Sequence, residues 1–517
     1  MPSSLTLNDL LPELFPIIAS HLPLHATPST LLSLALVNQH VSEITLPLVY
    51  SRLILKSEED ALRVIQKLLA NAELGLAVRE MHIICNLSIE TRNGENPFDV
   101  VTGLKKVIEA GSLPYIHTLG LHLLSGWHYD HEFKPVDGFG QLRADFWTSL
   151  RAKCPRLKGL VLRNIGDTKQ DPWLDESGLY EIEGISSFTL DLPMHSGSDV
   201  GFDKLLENIN TLSPSLHTLS LTHNADWYNA SLIFPINFLC LRSLTLSSYV
   251  VLNVSEAMEF WNRHPTLEYL ELPRRRSGNC WFSSNISADF LPNLRYLKAE
   301  YNDIRVLAPI LHRLTGLAIY QSINAQVPYL LRSVLPNGLP GLKSLYIGQL
   351  PSASGKNNKV DGALWYETYD GIFKENKVQK AKIDIFHNFI HSIVRGAPNL
   401  EELGMQGYLS EPSFFENLAL QLAPFNQLQR LYCEVFNPDF DQVEPKEREM
   451  FLQGSRTLAN ACKSLRLVTN TDSPNLPYMT ATIRRTDAGE VDNLVIGKGY
   501  GMQIGSEDEA FPVFCKS

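Results

Sequence analysis

His128 and His131 form an H-x-x-H pair flanked by Asp130 and Glu132, side chains of the kind that hold a divalent metal. A zinc site needs three or four ligands in a defined geometry. No partner cluster accompanies the pair, so a polar loop is expected there. His387 and His391 are spaced i, i+4 as on one helix face, but H-N-F-I-H lacks the glutamate of H-E-x-x-H. Gly497, Gly499 and Gly501 could admit a phosphate if a helix N-terminus came after them. The next residues, MQIGSEDEAFP, are polar and acidic, and predict a terminal turn. Glu401 and Glu402 are adjacent and would point to opposite faces of a strand. There is no G-x-S-x-G, no phosphate-binding loop and no kinase signature. The expectation is a non-enzymatic chain with no metal and no cofactor.

Bulk properties narrow the class further. The chain has 517 residues, more than one hydrophobic core usually organises, so several domains or a repeat array is expected. With 45 basic against 56 acidic residues the net charge is −11, which argues against nucleic acid as a partner. The short cluster Arg274-Arg275-Arg276 reads as a solvated loop. Seven cysteines without a C-x-x-C pair suit reduced thiols. Asn8, Asp9 and Glu13 stand where a signal peptide needs an apolar run. No apolar stretch approaches the roughly 20 residues of a membrane span. Those features predict a soluble cytoplasmic or nuclear protein that does not engage a membrane.

The elements that would position any site come from a recurring pattern. A small or proline-containing lead-in is followed by L-x-x-L-x-L, as in CPRLKGLVL (154–162), SPSLHTLSL (213–221), HPTLEYLEL (264–272) and LPNLRYLKA (291–299). It returns in LPGLKSLYI (339–347) and APNLEELGM (397–405), with weaker copies between and beyond. The first apolar positions are Val78, Ile116, Leu157, Ile185, Leu216, Leu241, Leu267, Leu294, Leu314, Leu342, Leu400, Leu428 and Leu465. Six of the twelve intervals between them measure 25 to 28 residues. In each copy x-L-x-L has period 2, a short strand with one buried and one open side. Between copies lie helical stretches such as 199–212, 256–264 and 382–396, the last with Ile383, Phe386, Phe389, Ile390 and Ile393 on one stripe. Strand alternating with helix predicts parallel strands with right-handed crossovers.

These copies resemble leucine-rich repeats over about residues 78 to 470. The resemblance implies an α/β fold: an irregular solenoid of about 12–13 repeats, parallel strands on the concave side and helices outside. Asn224 and Asn302 match the asparagine that ties up loop backbone in that family. The positions beside the buried leucines should then be solvent-facing. Tyr269, Tyr296, Lys298, Tyr320, Tyr346, Arg430 and Tyr432 are the candidate residues for holding a protein substrate, with Glu271, Glu300 and Glu434 nearby. Exposed tyrosines offer large contact area at low entropy cost.

The first 55 residues differ. Pro12 suits a helix start, and Leu14, Ile17, Ile18 and Leu22 come after it at helical spacing. Pro16 within that helix should kink it. Ser29 or Thr30 can cap a second helix in which Leu31, Leu32, Leu34, Ala35, Leu36 and Val37 are apolar almost all round. Asn38 can end it or cap a third segment in which Val41, Ile44 and Leu46 precede Pro47. A helix apolar on every side must be covered on every side, by the repeats or by another protein. LPEL (11–14), IIASHL (17–22), LLSLALVNQ (31–39) and LPLVY (46–50) resemble the F-box. That resemblance implies docking on a Skp-type adaptor of a cullin-scaffolded ubiquitin ligase. The adaptor would be held by Leu11, Pro12, Leu14, Ile17, Ile18, Leu22, Leu32, Leu34 and Val37, and a substrate by the repeats. The expected layout is a small all-α F-box-like segment (7–55), a linking helix (56–75), the solenoid (76–500) with a long inserted loop (351–380), and a tail (501–517).

Overall fold

The computed structural model describes residues 10–21, 27–55, 57–86, 98–124, 142, 144–163, 178–192, 202–223, 228–273, 280–320, 326–348, 389–405, 412–433, 445–470 and 477–500. The chain forms two compact units, Met1–Trp281 with Leu291–Asn293, and Phe282–Phe290 with Leu294–Ser517. Both are α/β and built on parallel strands.

In the first unit the strands β1 (Arg52–Leu55), β2 (Glu80–Asn86), β3 (Thr118–Leu124), β4 (Gly159–Arg163), β5 (Ser187–Leu192) and β6 (Thr218–His223) pair side by side in chain order. A two-stranded pair, β7 (Tyr228–Asn229) with β9 (Tyr249–Val250), lies apart from them. β8 (Ser243–Ser247) joins β6, and β10 (Tyr269–Glu271) joins β8, all parallel. The register is uninterrupted. Leu53, Met81, Leu119, Leu160, Phe188, Leu219, Leu244 and Leu270 form one row across the strands. Two residues on, Leu55, Ile83, Leu121, Leu162, Leu190, Leu221 and Leu246 form a second. Both rows are buried.

The second unit repeats the scheme with β11 (Tyr296–Glu300), β12 (Gly316–Tyr320), β13 (Ser344–Ile347), β14 (Glu402–Met405), β15 (Arg430–Cys433) and β16 (Leu467–Asn470). Their inner row is Leu297, Leu317, Leu345, Leu403, Leu431 and Val468. The unit ends in an antiparallel hairpin, β17 (Pro477–Arg485) and β18 (Val491–Tyr500), with β17 paired to β16. The terminal turn expected around the glycines is therefore corrected: Ile496, Gly497, Lys498 and Gly499 lie inside β18. Gly497 is needed there because a Cβ would sit 2.6 Å from Thr480 Oγ1 across the ladder. The hairpin turn itself uses Gly489, whose φ of 82° suits glycine.

The L-x-x-L lead-in has a concrete geometry. The amides of Leu157, Leu216, Leu267 and Leu342 donate to the carbonyls of Cys154, Ser213, His264 and Leu339 at 3.0–3.3 Å. Each is a tight turn with proline (155, 214, 265, 340) in its second position, where the fixed φ is already correct. All thirteen first apolar positions are buried, the most accessible being Leu157 at 7 %. Where the turn begins with His264, the imidazole stands in for backbone. Its Nδ1 donates to Phe260 O at 2.7 Å and its Nε2 accepts from Phe238 N at 2.9 Å. Burial pushes this histidine below its ordinary pKa, in keeping with a neutral ring.

The crossovers are uneven. Helices Glu58–Ala70, Phe98–Glu109, Ala144–Lys153, Phe202–Leu212 and Val254–Arg263 serve the first unit, the first of them capped by Ser57. Elsewhere short turns of 3-10 or π helix suffice, as at Ala308–Arg313 and Leu330–Val334. In the second unit Gly454 lets helix Pro445–Ala461 meet the Phe415 ring of helix Pro412–Leu422, where a Cβ would lie 2.4 Å from the ring. Of the predicted stripe before β14, Phe389, Ile390 and Ile393 are buried, while Ile383 and Phe386 lie outside the described residues. So do His128, His131, His387, Asn224, Arg274 to Arg276 and the inserted loop 351–380. Asn302 does not tie up a loop: it is exposed on helix Tyr301–Val306, and the neighbouring Asp303 is the buried polar residue.

At the N-terminus the helices are Leu14–His21, Thr27–Ala35 and Gln39–Ser51. Pro16 falls in the first turn of its helix, where amides have no intrahelical acceptor, so it removes no bond and the expected kink has no cause. Pro12 precedes the helix. The second helix starts at Thr27, earlier than Ser29 or Thr30. Asn38 does cap the third, accepting from Val41 N at 2.9 Å, and that helix runs through Pro47 to Ser51. Among the described residues no helix is long and apolar enough to cross a membrane.

The register predicts a sharp contrast between neighbours. Leu270→Asp buries an unpaired charge between stacked strands and should abolish cooperative unfolding in urea. Tyr269→Ala, one residue away on the open side, should cost at most about 1–2 kcal/mol. Equal losses at the two positions would contradict the register.

Candidate interaction surfaces

Two surfaces contain the residues singled out by sequence. On the N-terminal helices, Phe15, Leu31 and Val41 are buried and hold the segment together. Several other described apolar side chains are not covered. Leu11 is 64 % exposed, Val37 52 % and Leu36 86 %, and Leu14, Ile17, Ile18 and Leu32 are also exposed. Pro12 is exposed and Leu34 half-buried; Leu22 lies outside the described residues. The second helix is therefore not buried on every side within this chain. Leu36, the most exposed of the set, was missed as a candidate although it sits one turn on from Leu32. The third helix is anchored: Ser51 O accepts the amide of Arg79 at 2.9 Å, and the chain passes directly from Ser51 into β1.

The open side of the strands carries the other candidates. Its register is as expected, with Tyr269, Tyr296, Lys298, Tyr346, Arg430 and Tyr432 all opposite the leucine rows. Its exposure is not. Tyr269, Tyr296, Tyr346, Arg430 and Glu300 are half-buried, and Lys298, Glu271 and Tyr432 are buried. Glu434 and the side chain of Tyr320 lie outside the described part of the chain. The cause is strand spacing: at about 4.8 Å, large side chains on adjacent strands cover one another. In the second unit the Tyr346 ring lies over Gly404, where a Cβ would be 2.3 Å from Cδ2. Glu402, 2 % exposed, accepts from Ser344 Oγ at 2.6 Å and Tyr432 Oη at 3.3 Å, and pairs with Arg430 Nε at 3.3 Å. Arg430 and Tyr432 are thus committed to a buried carboxylate.

The first unit holds a longer polar chain that sequence reading missed. Arg52 Nε lies 3.0 Å from Glu80 Oε2, His82 Nε2 lies 2.9 Å from Glu80 Oε1, and His82 Nδ1 lies 3.1 Å from His122 Nε2. Gly120 makes room for the last contact, since a Cβ there would be 2.1 Å from His82 Nδ1. Beyond His122 the same row continues with Arg163 and Asp191. Burial acts to raise the Glu80 carboxyl, but His82 and Arg52 bring it below its ordinary value. His122 is held well below its ordinary 6.5, first by burial and then by the charges of Arg163 and His82. Asp191 is pushed up to about 6 by burial, against the pull of Arg163. Burial also lowers Arg163, while Asp191 and Glu271 oppose that. The separation of 40 residues between the histidines hides the pair from any local motif. Only alignment of the strand copies would have put them on neighbouring strands.

No known family model matches the chain, and no curated protein matches it.

The pH dependence follows from the signs. Unfolded His122 titrates near its ordinary 6.5 and folded His122 lower, so the unfolded chain takes up a proton first as pH falls. The contribution of His122 is present above that pH and is lost as pH drops toward its folded value. Asp191 acts oppositely. Its contribution is complete below 3.8 and is lost as pH rises through about 6. In urea titrations at pH 7.5 and 5.5, His122→Gln should remove about 1 kcal/mol of the decline on acidification. An unchanged slope would mean that His122 is not a neutral buried ring.

Proposed function

We propose that this protein is a recruiting adaptor. Its strand–crossover copies are irregular leucine-rich repeats that bind a protein substrate. Its N-terminal helices form an F-box that docks on a Skp-type adaptor and, through it, a cullin scaffold. In this reading the chain performs no bond chemistry; it raises the effective concentration of substrate at a ubiquitin-transfer enzyme. The observation that carries the reading is the uncovered apolar set on the first two helices and the residues flanking them. Leu11, Leu14, Ile17, Leu32, Leu36 and Val37 are exposed together, a burden that a stable soluble domain keeps only where a partner covers it. The inward-facing Phe15, Leu31 and Val41 support it, because the helices hold together without that surface.

A second reading makes the N-terminal helices a cap on the repeats. It is favoured by the third helix, which meets β1 and shares the hydrogen bond from Arg79 N to Ser51 O. The two readings divide at Leu32 and Leu36. A cap buries its apolar side chains against the repeats, whereas a docking surface leaves them outward.

The test is capture of a recombinant Skp-type adaptor by the full chain, compared with Leu32→Asp/Leu36→Asp. Both positions are exposed, so the melting temperature should move by no more than about 2–3 °C. Adaptor capture should fall at least about a hundredfold, as expected when charge enters an apolar interface core. Undiminished capture by the double variant, or none by the natural chain, defeats the F-box reading.

A further inference from the structure

The residue after the first apolar position of each turn falls into a single row at the strand-entry edge. In the first unit the row runs Arg79, His117, Lys158, Ser186, His217, Arg242 and ends at Glu268. The amides of Thr118, Gly159, Ser187, Thr218, Ser243 and Tyr269 donate to carbonyls of this row, one strand back, at 2.8–3.1 Å. Successive members are therefore one strand apart, although 25 to 41 residues separate them in sequence. That spacing conceals the charge: no run of basic residues marks it. His117, Lys158, His217 and Arg242 are exposed. The corresponding row of the second unit is mixed, with Lys343 bound to Glu401 at 2.6 Å.

Two further features belong to the same edge. Arg79 and the exposed Arg156 place their guanidinium carbons 5.1 and 4.6 Å from the Tyr115 ring centroid. Two cations gathered on one ring repel each other, and a bound anion would relieve that cost. Toward the other end, Ser215, His217, Cys240 and Arg242 line a shallow depression of about 460 Å³. Glu268 partly compensates Arg242 at 3.6 Å, whereas Lys158 donates to the Gly184 carbonyl, at 3.0 Å.

We propose that this edge binds an acidic peptide segment of a partner protein, laid across the turns in extended form. From Arg79 to Arg242 the row covers five strand intervals, about 24 Å, the reach of roughly seven extended residues. A peptide fits better than a nucleic acid. Tyr115, the aromatic on this edge with the guanidiniums, is already engaged by them and offers no free platform for base stacking. Binding here is independent of what the N-terminal helices hold.

The experiment is fluorescence anisotropy of a labelled peptide of about ten alternating glutamates and aspartates, titrated with the full chain at low and at high salt. Saturable binding that weakens with salt is expected. The triple variant Arg156→Glu/Lys158→Glu/Arg242→Glu should bind at least about tenfold more weakly, and Arg395→Glu, an exposed cation off this edge, should bind as the natural chain does. Should the triple variant unfold by circular dichroism, Arg156→Gln/Lys158→Gln serves instead, with about a threefold loss expected. No saturable binding by the natural chain overturns the proposal. So does full retention by the folded variant, or tighter binding of a single-stranded oligonucleotide of equal charge.

Discussion

Most strands of the parallel ladders have an apolar pair, two residues apart, that a parallel neighbour must continue in the same register. This pairing governs the rest of both units. A short strand of four or five residues cannot bury its own side chains, and a slip of one residue would turn every leucine outward. The Leu53-to-Leu270 row and the Leu297-to-Val468 row show the solution, with one apolar side chain placed against the next at each strand step. At about 1.5–3 kcal/mol for each fully buried leucine, two rows outweigh any preference of the intervening loops. The tight turns before the strands make the register reproducible. At 155, 214, 265 and 340 a proline sets the backbone, and the carbonyl of the residue before it receives the amide of the first buried residue.

Fixing the leucines on one side fixes polar residues on the other, at the same close spacing. Stacked side chains there must satisfy each other, because little water reaches them. In the first unit the answer is a chain of polar side chains, Arg52, Glu80, His82, His122, Arg163 and Asp191, with carboxylates at Glu80 and Asp191 and a neutral ring at His122. In the second it is one carboxylate, Glu402, serving a serine, a tyrosine and an arginine. Gly120 and Gly404 have the same role in these two networks. Each leaves the space that lets a ring from the neighbouring strand lie across it. The open side is therefore more a buried polar layer than a bare shelf of contact residues.

The sequence made the apolar framework legible because one rule, period 2 after a turn, applies at every copy. All thirteen first positions are buried, and Tyr269 and Leu270 face as the alternation requires. Burial on the open side was not legible, since it depends on what stands on the next strand, 20 or more residues away. Tyr432 looks exposed in RLYC and is 1 % exposed because Glu402 is its neighbour. The terminal hairpin was missed for a different reason. Its glycines suggested a turn, while Asp487-Ala488-Gly489 between two alternating segments was the actual turn signal. At the N-terminus the apolar helix was legible, and its exposure was not, because composition says that a surface needs covering and not by what.

The N-terminal helices and the first sheet share backbone bonds with no linker between them. The third helix ends at Ser51, β1 begins at Arg52, and the carbonyl of Ser51 takes the amide of Arg79. Arg52 then opens the polar chain through Glu80, while Arg79 opens the basic edge. One short stretch of backbone thus fixes the origin of three surfaces within the same unit. A partner covering Leu32 and Leu36 would be held at a set orientation to that edge, without the entropy loss that a flexible tether imposes on each encounter. Under the proposed recruiting role, this rigidity would matter more than the affinity of either surface. Gly75 points the same way. It brings helix Ala72–Ala77 so close to the Ser112 carbonyl that a Cβ would lie 1.9 Å from the oxygen. The chain between the N-terminal helices and β2 is consequently packed down at Gly75, and it cannot act as a hinge without losing that contact.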